Sequence, residues 1–117
     1  MRLPRTLALA AALVPLAGCH SAYIEAVVIN QTDHTLALVE LDYPSASFGT
    51  QDLKPGARYD YRFKILGSGP TKLLWTDFAH HDFTAQGPAL HENQEGKLIV
   101  TLTPAGPTWD SHQIKDR

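Results

Sequence analysis

Arg58-Tyr59-Asp60-Tyr61-Arg62-Phe63-Lys64-Ile65 alternates a charged residue with an aromatic or branched apolar one at every step. Successive side chains of an extended chain leave on opposite faces, so this octet is predicted as a half-buried strand. Tyr59, Tyr61, Phe63 and Ile65 would then face a core, and Arg58, Asp60, Arg62 and Lys64 would face water. Leu53-Lys54-Pro55-Gly56 leads into it as a turn, because proline presets the first central φ and glycine accepts a positive one at the second. Leu66-Gly67-Ser68-Gly69-Pro70 follows as a glycine-rich turn, and Thr71 to Asp77 resumes as a strand with Leu73 and Trp75 on one side. These two strands are predicted to pair as a hairpin.

The same reading extends in both directions. Tyr23 to Asn30 is β-branched and apolar, Asn30-Gln31-Thr32-Asp33 is turn-forming, and Thr35 to Tyr43 alternates with Ala37, Val39, Leu41 and Tyr43 inward. This predicts a first hairpin, with Pro44 to Thr50 as a loop beyond it. Asp82 to Gln86 is a further short strand broken by Gly87-Pro88, and Lys97 to Thr103 is a strand with Leu98, Val100 and Leu102 inward. Pro104 and Pro107 cannot donate to a ladder and are expected to end the sheet. Six of the eight prolines, seven of the eight glycines and no sustained three-four apolar spacing leave no case for a helix in this part of the chain.

About six or seven short strands at intervals of about 8 to 12 residues are the pattern of an antiparallel β-sandwich. The predicted fold is therefore all-β, with immunoglobulin-like architecture but without the cysteine pair and tryptophan spacing of true immunoglobulin domains. Fold alone assigns no activity.

The chain opens with Arg2 and Arg5, no acid, and an apolar run from Leu7 to Ala17, the charged and hydrophobic regions of an export signal. The run is shorter than the roughly 20 residues that cross a bilayer. Leu16-Ala17-Gly18-Cys19 resembles the lipobox of bacterial lipoproteins. The resemblance implies cleavage between Gly18 and Cys19, a covalent lipid on Cys19 in place of any other cofactor, and attachment to a membrane of the cell envelope. Residues 1–18 would be the signal, 19–22 a lipidated linker, 23–103 the sandwich and 104–117 a polar tail. His20 is not the acidic residue that retains such proteins at the inner membrane, so the resemblance favours the outer one.

Cys19 is the only cysteine, so no disulfide is available to the domain. Without Arg2 and Arg5 the chain keeps eight basic against twelve acidic residues, a net charge near minus four that excludes nucleic acid as a partner.

Three sets of residues are candidates for function. Asp77, His80, His81, Asp82 and His91 carry the donors that zinc, copper or nickel would use, though adjacent histidines of an extended segment point apart. Tyr43 and Phe48 border a loop that would form a contact surface if displayed, while Phe48 serves equally as core. Trp109 and Ile114 stand in the tail, free to dock on a partner or on their own sheet. The serines fall in no nucleophile motif, and the paired acids Glu92 and Glu95 sit in a polar turn with no apolar wall to raise a pKa. The expectation is a non-catalytic, lipid-anchored binding or accessory module with an envelope protein as partner. A metal-binding lipoprotein is the alternative, and a carbohydrate-binding module, needing Trp109 or Tyr43 exposed, is a third.

Overall fold

A computed structural model describes residues 22–117. The export signal expected over residues 1–18, the cleavage expected between Gly18 and Cys19, the lipid expected on Cys19 and all but the last residue of the 19–22 linker lie outside the described residues. The strands are β1 (Ile24–Asn30), β2 (Leu36–Tyr43), β3 (Ala46–Leu53), β4 (Arg58–Phe63), β5 (Gly69–Thr76), β6 (Asp82–Leu90), β7 (Gln94–Thr103), β8 (Gly106–Asp110) and β9 (Lys115–Asp116). One sheet runs β4-β1-β7-β8 with β9 on the start of β7, and the other runs β3-β2-β5-β6. The two sheets enclose one core of Ile24, Val28, Val39, Leu41, Leu73, Leu98, Val100 and Leu102, all at most 1% exposed. This is the all-β sandwich expected.

The strand grouping is particular. Constant immunoglobulin domains place their first two strands in one sheet; here β1 and β2 lie in opposite sheets, and β1 pairs antiparallel with β4 and parallel with β7. Neither predicted hairpin forms, because β4 and β5 are likewise divided between the sheets. Local alternation marks which face of a strand is buried but not which neighbour it takes. Residues 31–35 and 64–68 are longer than the two-residue connections of tight hairpins, and they carry the chain across the core.

Real hairpins occur elsewhere. Pro44-Ser45 turns β2 directly into β3, pairing Tyr43 with Ala46, where a loop to Thr50 was expected. The outward residues of β3 include Ser47, Gly49 and Gln51, and that composition disguised an edge strand. Pro55-Gly56 makes the expected turn, with Ala57 N–H donating to Lys54 O at 2.9 Å and Gly56 at φ 82°. β4 is also an edge strand, and only part of its predicted inner face is buried. Phe63 is 5% exposed, whereas Tyr61 is 42% exposed with its ring stacked on Phe48 at 4.2 Å.

β6 passes through Gly87-Pro88 without breaking. The register steps from Pro70 opposite Ala89 to Lys72 opposite Gln86, so one extra residue on β6 bulges out. The Thr71 hydroxyl donates to Pro88 O at 2.8 Å and anchors the bulge. The sheet likewise continues past Pro104. Pro104-Ala105 is a two-residue turn into β8, and Pro107 is tolerated because β8 is an edge strand. The tail is therefore part of the sandwich, which extends to β9, and Trp109 and Ile114 pack against the core.

Two poles result. The β1–β2 connection, the β3–β4 turn, the β5–β6 turn and the β7–β8 turn share one end. The start of β1, the 64–68 connection, the β6–β7 turn and β9 share the other, where Gly67 N–H donates to Glu92 and Arg117 N–H to Asn93 O.

Candidate functional site

Trp75 and Phe83 are directly opposed on β5 and β6, on the same face as buried Leu73 but at the strand ends where the core opens. Their rings stack with centroids 5.4 Å apart. The β5–β6 turn then displays Phe78, whose ring lies on the His34 imidazole of the β1–β2 connection at 4.0 Å and 13°. Both stacks line one cleft of about 420 Å³, completed by Thr32, Asp77 and residues 103–106 of the β7–β8 turn. Phe78 is 58% exposed and Phe83 43%, and with their stacking partners they form one exposed aromatic patch rather than scattered single side chains.

Each ring is held by local chemistry. Asp77 organises its turn: its Oδ1 accepts from Ala79 N–H at 2.9 Å and His81 N–H at 2.8 Å, and Asp77 N–H donates to His81 O at 2.9 Å. His80 closes the turn with φ 68°, a conformation histidine adopts more readily than most residues. The backbone hydrogen bond from His81, followed by that from Ala79 and the His81 imidazole, holds the Asp77 carboxyl below the ordinary carboxylate range. On the facing connection, the fully buried Asn30 amide donates to His34 O at 2.9 Å and to Leu53 O at 2.8 Å. Its Oδ1 accepts from the Thr32 N–H and hydroxyl, so the segment that carries His34 is fastened to both sheets.

The residues expected from the sequence fare differently. Asp77 and His81 are together, with Nδ1 to Oδ2 at 3.3 Å. Asp82 instead accepts from the Thr76 hydroxyl at 2.7 Å. His91 lies beyond the far end of nine-residue β6, roughly 30 Å away at about 3.3 Å per residue, and pairs there with Asp116 at 3.2 Å. Strand length separates His91 from the other four donors, and among the described residues no three histidine, cysteine or carboxylate groups gather as a metal site.

The contact surface expected at Tyr43 and Phe48 is not displayed. Both are buried, Phe48 as core and Tyr43 with its hydroxyl donating to backbone oxygens of Gly67 and Leu90 at 2.6 and 3.1 Å. Trp109 is half-buried against Gly87, so neither aromatic proposed for carbohydrate is exposed enough to serve. The aromatic cleft went unread. Phe78 falls between the strands expected at 71–77 and 82–86, and only the β5–β6 register sets Phe83 beside Trp75.

A second groove, of about 790 Å³, lies at the other pole between Tyr23, Glu25, Arg62, Glu95 and Lys115. Its charges are mixed, and the Arg62 guanidinium covers the Tyr23 ring at 4.3 Å.

No protein family and no curated protein matches the chain. An NMR structure of a protein from Eubacterium rectale is similar to it, with a TM-score of 0.54 and 14% identity over 86% of this chain and 96% of that one. The likeness is one of fold. No helix among the described residues is long and apolar enough to cross a membrane.

Proposed function

We propose that the protein is a lipid-anchored, non-catalytic recognition module of the cell envelope, tethered at one pole and binding at the other through the aromatic cleft. The observation that carries this reading is the pair of exposed ring stacks in a cleft built by three separate chain segments. The tether rests on Leu16-Ala17-Gly18-Cys19 and its resemblance to a lipobox. β1 starts at the pole away from the cleft and spans about 20 Å before reaching Asn30 at the cleft. A lipid three residues before Ala22 thus leaves the cleft directed away from the membrane. One acyl chain binds a membrane marginally, whereas two or more hold it stably. The hydroxyl groups of the cleft and Asp77 Oδ1 are occupied in shaping its turns, which favours binding over catalysis.

The test is a photoreactive phenylalanine analogue at position 78 in living cells, compared with the same label at exposed Gln51. Mass spectrometry should find an adduct, small or macromolecular, on the first protein only. Equal labelling at both positions would refute the recognition site. Fatty-acid labelling that persists in Cys19→Ala would refute the anchor.

A further inference from the structure

We propose that the cleft binds a quaternary ammonium group, carried by a small soluble compound of the choline or betaine type. The inference rests on the reading of the cleft as a recognition site and names the chemistry of its ligand. Three observations carry it. Trp75, Phe78 and Phe83 offer aromatic rings in one concavity, and the faces of such rings attract a cation placed over them. Asp77 is the only aspartate, glutamate, lysine or arginine in the lining, so the field in the cleft favours positive charge.

The third observation is that the hydroxyl groups of the lining are already engaged. The Thr32 hydroxyl lies 2.6 Å from Asn30 Oδ1 and 3.0 Å from His34 O. The Thr103 hydroxyl donates to Gly106 O at 2.8 Å while accepting from Ala105 N–H at 3.1 Å. Asp77 Oδ1 takes two backbone N–H groups. A sugar, with its many hydroxyl groups, would surrender more water partners here than the lining replaces, which is costly. A quaternary ammonium has no N–H to leave unsatisfied, and its methyl groups suit ring faces. A soluble carrier follows from the position of the cleft, at the pole opposite the start of β1.

Choline and its neutral isostere, with a tert-butyl group replacing the trimethylammonium, are titrated into the full chain in non-ionic detergent and followed by two-dimensional NMR. Choline should shift the Trp75 indole and the Phe78 and Phe83 amides but not the Trp109 indole, and should bind about tenfold more tightly than the isostere. Phe83→Leu, which keeps apolar bulk, should weaken choline and spare the isostere. Asp77→Asn keeps the oxygen that accepts from Ala79 and His81, and should weaken choline several-fold. Equal affinity for choline and isostere would overturn the cationic inference. So would silence at the cleft with choline while the label at position 78 still acquires its adduct in cells, an outcome that leaves the recognition site standing. Silence in both experiments would overturn the two together.

Discussion

Asn30 has all of its hydrogen-bonding capacity filled. Beyond the side-chain bonds to His34, Leu53 and Thr32, its backbone N–H donates to Ala57 O at 3.0 Å and its carbonyl accepts from Gly56 N–H at 2.7 Å. Alanine here would strip partners from two carbonyls and a threonine in a site with no room for bulk water. Each buried polar group left unpaired costs about 1 to 3 kcal/mol, so Asn30→Ala should lose about 3 kcal/mol in chemical denaturation. Asn30→Asp should fare no better at neutral pH, because a carboxylate cannot donate to the two carbonyls. A variant within experimental error of the parent would mean that water replaces the amide. In the sequence Asn30 read only as a turn former. That part was legible, since asparagine favours turns, but its partner Leu53 lies 23 residues away and no local pattern announces it.

β6 and β8 approach closely where Trp109 lies against Gly87. A Cβ built on Gly87 would stand 2.5 Å from two carbons of the Trp109 ring and 2.5 Å from Thr71 Oγ1. Gly87 is thus required by close approach, and the bulge that carries it also brings Pro88 O to Thr71. Gly87→Ala should cost about 1 to 3 kcal/mol, as overpacking typically does, and Trp109→Ala in the same chain should recover part of the loss. Thermal melts of the two single variants and the double one measure this; strict additivity would show that the contact is not the cause. The sequence located every strand from β1 to β7 except β3, because burial on one face leaves a period of two. It misjudged β3, the length of β6 and the whole of β8, whose small residues and prolines suit an edge but look like loop. The cleft was illegible for a related reason: a phenylalanine on a turn carries no periodicity, and its neighbours are chosen by register.

For the molecule as a whole, acid should be destabilising. Asp60, held down first by its hydrogen bond from Arg58, Asp77, and Asp110, held down first by its hydrogen bond from His112, all have carboxyls below the ordinary range. A carboxyl with a lowered native pKa adds stability that is fully present above its unfolded value of about 4 and is lost as pH falls through the native value. Glu40 has the opposite sign, since its hydrogen bond with Asp42 raises it and favours the folded state when protonated. Three groups against one predict a falling melting temperature between about pH 5 and about pH 3, with Asp77→Asn flattening the fall. A rising curve would give the larger share to Glu40.

The position of β1 sets the order of assembly. It is the first strand among the described residues, yet it occupies an interior place in its sheet, between β4 and a parallel partner that begins at Gln94. Closing so long a loop must precede the contacts that reward it, which slows folding. A chain that emerges or crosses a membrane amino end first therefore presents β1 early but cannot complete its sheet until β7 has also passed, and until then β4 is the partner within reach of β1.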